Sequence, residues 1–302
     1  MLLSRRILLF TSILYTSMVF AEPIKLTETV LPLEFNTGNP APYGLPSTTI
    51  KIEGKSLLII IDTGAKKTEI TLSPYALKNI HIKYTGKIIC FNAFDGRHCE
   101  KEFIIPAVQL GNFVIKNVKG ISMSKLWGGN DDGFKSTEAS RNGVIGYALL
   151  AKFNVLLDYA HSKAILVKPG FNPAQYNVKK WSPVSFDEHL RTKLNLNGKV
   201  LTFTWDTGAI PSGISRSMAN NFKQSLCPKN NPYEGESNKC VRVETTSLRT
   251  MNNEALPDTW FNVADIPSFA PFDGLIGSNF YADNLVYFDF DNHKIYVKPT
   301  LN

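Results

Sequence analysis

Short apolar or alternating runs, broken by Gly, Asn, Asp and Pro, dominate the chain. They recur at Thr48–Ile52, Leu57–Ile61, Lys87–Phe91, Phe103–Val108, Phe113–Val118 and Ala164–Val167, with the length and punctuation of β-strands. Helical patterning is confined to Ser73–Lys78, Arg216–Gln224 and Tyr147–Phe153. The pattern predicts an all-β protein with few short helices. Gly170–Ser182 has no periodicity and reads as a connection between two halves.

The halves are copies of one unit. Asp62-Thr63-Gly64-Ala65 follows the apolar run Leu57–Ile61, and Asp206-Thr207-Gly208-Ala209 follows Val200, Leu201, Phe203 and Trp205. Glu53-Gly54-Lys55 and Asn197-Gly198-Lys199 stand at matching distances upstream. Downstream, Val144-Ile145-Gly146 answers Leu275-Ile276-Gly277, and Asn154–Asp158 answers Asn284–Asp289. Ile165–Pro169 then answers Ile295–Pro299. Landmarks in one order mark an internal duplication of about 120–145 residues per copy, longer than a solenoid repeat. A carboxylate at the end of an apolar strand is costly to bury. Two of them in matched units suggest a single site built by both halves.

On these motifs the chain resembles the two-lobed aspartic proteases, pepsin-like in architecture. Ala65, Ala209 and the short lobes are closer to the retropepsin pattern. The resemblance covers nearly the whole mature chain and implies two homologous β-barrel-like lobes with a cleft between them. The expected organisation is a signal peptide at 1–21, an N-terminal lobe at 22–170, a linker at 171–182 and a C-terminal lobe at 183–302. By the same resemblance Asp62 and Asp206 are catalytic. Thr63, Gly64, Thr207 and Gly208 support the catalytic loops, the threonines bonding across the lobe interface. Ile145, Gly146, Ile276 and Gly277 form the psi-shaped support. The hairpin within Lys87–Phe103 is then a flap with Phe94, Asp95 and Gly96 at its tip; an ordinary surface hairpin is the alternative. No pepsin-type flap tyrosine is evident, Phe91 and Phe94 being the nearby aromatics.

Two carboxylates about 3 Å apart cannot both ionise at ordinary cost and share one proton, so their titration belongs to the pair. Such a pair activates water for amide hydrolysis with no cofactor and no metal. The expected activity is that of an exported aspartic endopeptidase acting on an extended polypeptide. The alternatives are a pepsin-like binding or inhibitor protein that keeps the fold without cleaving, and a structural envelope protein. The sequence does not tell which aspartate holds the proton. Ala65 and Ala209 stand where many pepsin-like enzymes carry a hydroxyl that would lower the carboxylate pKa, so a less acidic optimum is expected. Gly-x-Ser-x-Gly, His-Glu-x-x-His and phosphate-binding glycine motifs do not occur. One chain carries both aspartates, so a monomer suffices.

Composition and termini place the protein. Arg5-Arg6, the apolar Ile7–Phe20 and Val19-Phe20-Ala21 read as a secretory signal, giving a periplasmic or secreted protein; an uncleaved membrane anchor is the rival reading. No other run is apolar and long enough to span a bilayer. The formal charge is +7; without Arg5 and Arg6 it is +5, from 31 basic and 26 acidic side chains. The basic residues are scattered, which argues against nucleic-acid binding. Four cysteines, Cys90, Cys99, Cys227 and Cys240, in an exported chain favour disulfides. Three pairings are formally open, pairing within each lobe being the simplest. A two-residue turn at Asp95-Gly96 would leave Cys90 diagonal to Cys99, about 7–8 Å away, a poor disulfide fit. A four-residue loop, Ala93–Gly96, sets them opposite. A Cys/His metal site with His98 lacks the short Cys spacing that zinc needs. His161 and His293 occupy comparable turns near the end of each copy.

Overall fold

The computed structural model describes residues 26–35, 41–78, 80–93, 96–123, 137–228 and 240–300. The expected signal segment 1–21 and the flap-tip residues Phe94 and Asp95 lie outside the described residues. Among the described residues strands account for 51% and helical segments for 11%, with five short α-helices. The all-β expectation holds, with two β-barrel-like lobes.

The first copy begins with β1 (Glu28–Pro32), β2 (Glu34–Phe35), β3 (Pro46–Ile52), β4 (Lys55–Asp62), β5 (Ile70–Leu72) and α1 (Pro74–Leu77). It continues with β6 (Lys83–Ala93), β7 (Gly96–Leu110), β8 (Phe113–Ser122), α2 (Glu138–Asn142) and β9 (Gly143–Gly146). Helix α3 (Tyr147–Leu150), β10 (Asn154–Asp158) and β11 (Lys163–Val167) complete it. The second copy opens with β12 (Ser182–Ser185), β13 (Arg191–Leu196), β14 (Lys199–Trp205), β15 (Gly213–Ser215) and α4 (Arg216–Ala219). Then come β16 (Gln224–Leu226), β17 (Val241–Val243), β18 (Leu248–Thr250), β19 (Phe261–Ala264) and β20 (Gly274–Ile276). It closes with α5 (Ser278–Asp283), β21 (Asn284–Asp289) and β22 (Lys294–Pro299).

The strands form one six-stranded and two eight-stranded sheets. In the first lobe the order β3-β4-β9-β5-β8-β7 returns on itself through the β3–β7 pairing, which closes a barrel. The second lobe runs β17-β19-β15-β20-β14-β13 and is joined at β13 by β18 instead. The six-stranded sheet, β1-β11-β10-β21-β22-β12, takes half its strands from each copy. Its centre is the antiparallel β10–β21 pair, Leu156 opposite Tyr287. One continuous core therefore runs from Ile50 and Phe103 in the first lobe to Phe203 and Phe288 in the second.

Local chemistry explains the repeats. Both β-hairpins that lead to the aspartates turn through two residues of positive φ, Glu53-Gly54 and Asn197-Gly198, the backbone of a type I′ turn. Helices α1 and α4 start at equivalent serines, Ser73 and Ser215, whose hydroxyls cap Ala76 N–H and Met218 N–H. The helices are shorter than expected, α3 stopping at Leu150 rather than Phe153. The helix expected over Arg216–Gln224 stops at Ala219, and Gln224 instead starts a strand paired with Val243. His161 aligns with Asn292 rather than His293: Asp158 accepts from His161 and Asp289 accepts from Asn292 in matching turns. His293 shares its place and its positive φ with Ser162. Among the described residues no helix is long and apolar enough to cross a membrane.

Candidate active site

Asp62 is the last residue of β4, and Asp206 follows directly on β14. Each strand lies parallel to the hydrophobic-hydrophobic-Gly strand of its own copy. Ile61 pairs with Ile145 and Asp62 with Gly146 across β4–β9, and Trp205 pairs with Ile276 across β14–β20. Asp206 N–H donates to the Ile276 carbonyl at 2.9 Å. The turn past each aspartate is tied to the same support: Tyr147 N–H donates to Ala65 O at 2.9 Å and Ser278 N–H to Ala209 O at 3.0 Å. A Cβ on Gly277 would stand 2.7 Å from the Ala209 carbonyl oxygen. Side-chain-free backbone is what lets that turn close.

The two turns grip each other. Thr63 N–H donates to Thr207 Oγ1 and Thr207 N–H to Thr63 Oγ1, both at 3.0 Å. The hydroxyls pass the bond on, Thr63 Oγ1 to Trp205 O and Thr207 Oγ1 to Ile61 O, both at 2.8 Å. Two N–H groups, two hydroxyls and two carbonyls are thus satisfied by a two-fold exchange, which a shift of either lobe would break. Gly64 and Gly208 donate their N–H groups back to Oδ1 of Asp62 and Asp206, at 2.7 and 2.8 Å. A Cβ on Gly64 would come within 2.5 Å of both Asp206 carboxylate oxygens. Glycine at this position therefore sets the approach of the two aspartates.

The carboxylates are not equivalent. Asp62 is fully buried and Asp206 is 8% exposed. Burial pushes the Asp62 pKa well above the carboxylate range, the charge and proximity of Asp206 push it further, and the Gly64 and Ala65 amides oppose them. Tyr281 of α5 is buried nearby, its ring 5.5 Å from Tyr159 and 6.4 Å from Trp205. Burial holds its phenol well above the usual range, followed by Tyr159 and the two aspartate charges.

All eight loop and support residues named from the sequence lie in these contacts or pairings. Gly96 begins β7 and pairs with Ala93, so the hairpin loop is shorter than the expected Ala93–Gly96, although Cys90 and Cys99 do face each other in the ladder. Cys90–Cys99 and Cys227–Cys240 are disulfides. The second spans the counterpart hairpin β16–β17, so each lobe has a disulfide at the same place in its plan. Reading the sequence missed Lys66 and Tyr281. The signal for Lys66 is the first mismatch after the paired motifs, Lys66 against Ile210. Among the described residues no group of three or more His, Cys, Asp and Glu side chains could hold a metal ion.

No family model matches the chain. A 73-residue stretch, 24% of the chain, is 38% identical to Glucosyltransferase-S of Streptococcus mutans serotype c (strain ATCC 700610 / UA159). The match spans 5% of that protein's length.

Proposed function

We propose that the chain is an exported aspartic endopeptidase that hydrolyses an extended polypeptide with the Asp62/Asp206 pair. The observation that carries this reading is two buried aspartates, one per copy, on turns locked together by reciprocal threonine bonds. Burial and the neighbouring carboxylate favour the protonated form of Asp62. Asp62 then acts as the acid, donating to the scissile carbonyl oxygen. Asp206 is the base, taking a proton from the water that forms the new C–O bond. As the tetrahedral intermediate collapses, Asp206 gives its proton to the leaving amine while the C–N bond breaks, Asp62 recovers a proton from the intermediate's hydroxyl, and no bond to the enzyme forms. The β6–β7 hairpin serves as the flap. Each chain carries both aspartates and works as a monomer. Two disulfides suit an oxidising, extracytoplasmic compartment.

The test is cleavage of an unfolded protein and a peptide library from about pH 3 to 7, with Asp62→Asn and Asp206→Asn beside the wild type. Cleavage by the wild type and its loss in both variants are expected. A folded wild-type protein that cuts nothing at any pH would overturn the reading in favour of a pepsin-like binding protein.

A further inference from the structure

The two Asp-Thr-Gly-Ala motifs agree residue for residue and part at the next position, Lys66 in the first copy and Ile210 in the second. Lys66 leads the chain away from Asp62, yet its side chain reaches into the other copy. Its Nζ donates to Thr204 Oγ1 at 2.6 Å. Thr204 is buried on β14, two residues before Asp206. At about 3.3 Å per residue, Thr204 stands roughly 7 Å along the chain from Asp206, which follows the end of the strand. The Thr204 tether therefore fixes an ammonium on the Asp206 side of the pair. Ile210 supplies no such charge to Asp62, so the cation flanks the pair from one side only.

The neighbouring charges fit that geometry. The strongest attraction on the Lys66 ammonium is Asp206, with Asp187 and Asp62 weaker and Arg191 opposing. Arg191 is itself held by Asp187, Nε to Oδ2 at 2.8 Å. Tyr281, packed beside Tyr159, is a further titratable group near the pair and keeps its proton. Burial lowers the pKa of Lys66, and the negative charge of Asp206 works against that loss.

We propose that Lys66 is a positioning residue for the dyad: tethered across the lobe interface by Thr204, its ammonium keeps the pair's negative charge on Asp206 and leaves the proton on Asp62. The assignment rests on the dyad reading above. It adds one non-repeated side chain to the burial that already favours the proton on Asp62. An opposite charge favours the ionised carboxylate, whereas Asp62, fully buried and attracted to Lys66 more weakly than Asp206 is, is the cheaper place for the proton.

The test uses Lys66→Gln, which keeps a side chain able to bond Thr204 but removes the charge, and Lys66→Arg, which restores the charge. In the pH profile of kcat/KM the acid limb reports ionisation of the base. That limb is expected to move up by about one pH unit in Lys66→Gln and to return in Lys66→Arg, with Tm nearly unchanged in both. Carboxyl-carbon NMR titration of the full chain reads the same shift without any substrate. If the wild type cleaves nothing, the protease reading falls, and the NMR titration still decides the role of Lys66. An acid limb or carboxyl titration unmoved in Lys66→Gln overturns the proposal, as does an equal shift in Lys66→Gln and Lys66→Arg. Should Lys66→Gln fail to fold, Thr204→Val releases the tether: a smaller upward shift is expected, and none overturns the proposal.

Discussion

The two lobes follow one plan and complete it differently. In the first, β7 is one long strand that pairs with β6, β8 and, at Val108–Leu110, with β3, closing the barrel. In the second, the matching strand is broken into β17 and β18, the first bonded to β16 and β19 and the second to β13. Asn197 patches the break: its Oδ1 accepts from Thr246 and Ser247 N–H at 2.9 and 3.0 Å, and its Nδ2 donates to Glu244 O at 2.8 Å. One turn side chain thus satisfies backbone that a continuous ladder would otherwise pair. The hairpins differ as well. Strands β6 and β7 are 11 and 15 residues long, against 3 and 3 for β16 and β17. What stays alike is the support of the aspartates, because β4–β9 and β14–β20 hold them without help from barrel closure. The comparison teaches that the symmetric parts bring the two aspartates together, while the long hairpin and Lys66 are where the two copies part.

The largest effect tests whether both copies are needed. Asp62→Asn and Asp206→Asn should each lower kcat/KM by at least about 10³-fold, measured on a peptide that the wild type cleaves; a variant retaining a tenth of the activity would break the equivalence. Trp205 and Ile61 are equivalent positions just before the aspartates, both buried. Trp205 also packs its ring against Phe280, Tyr281 and Phe288. Trp205→Ala should cost about 3–5 kcal/mol and Ile61→Val about 0.5–1.5 kcal/mol in denaturant unfolding.

The disulfides sharpen the contrast between the hairpins. Replacing either pair by serines should cost about 2–4 kcal/mol by thermal melting. Loss of Cys90–Cys99 should also reduce turnover, whereas loss of Cys227–Cys240 should leave it near the wild-type value. Equal effects on turnover would remove the flap distinction. Thr63→Val and Thr207→Val should each cost about 1–3 kcal/mol, because each leaves a buried N–H of the other turn unpaired. The two costs should agree, as the bonds are reciprocal.

The finest test is pH linkage. The folded-state pKa of Asp62 is raised, so the folded protein binds that proton more tightly than the unfolded chain does. Its contribution to stability is present in full below the unfolded Asp value of about 3.9 and is lost as pH rises through the folded pKa. Tm should therefore fall as pH rises across that window. Asp62→Asn should remove this part of the slope and melt higher than the wild type near neutrality. A wild-type and a variant curve of the same slope would show that Asp62 titrates normally.

Much of the fold was legible because duplication writes each signal twice. The paired Asp-Thr-Gly-Ala motifs, the Val-Ile-Gly and Leu-Ile-Gly segments and the Gly-Lys turns are local patterns, and the strands they predict form where expected. The helix expected through Gln224 was too long, since propensity does not reveal that Gln224–Leu226 has Val241–Val243 to pair with. The hairpin register was readable from the two cysteines, but not that Ala93 and Gly96 also join the ladder.

By itself the sequence determined the all-β class, the duplication, the two aspartates and their glycine and threonine neighbours. These depend on residue type and on spacing along the chain. Only the tertiary structure decided that β3–β7 closes one barrel while β18 ends the other sheet as an edge strand on β13. It alone decided that Asp62 is the more deeply buried carboxylate and that Lys66 crosses to Thr204. Those features depend on desolvation and on distances between residues more than a hundred positions apart, which no local pattern records.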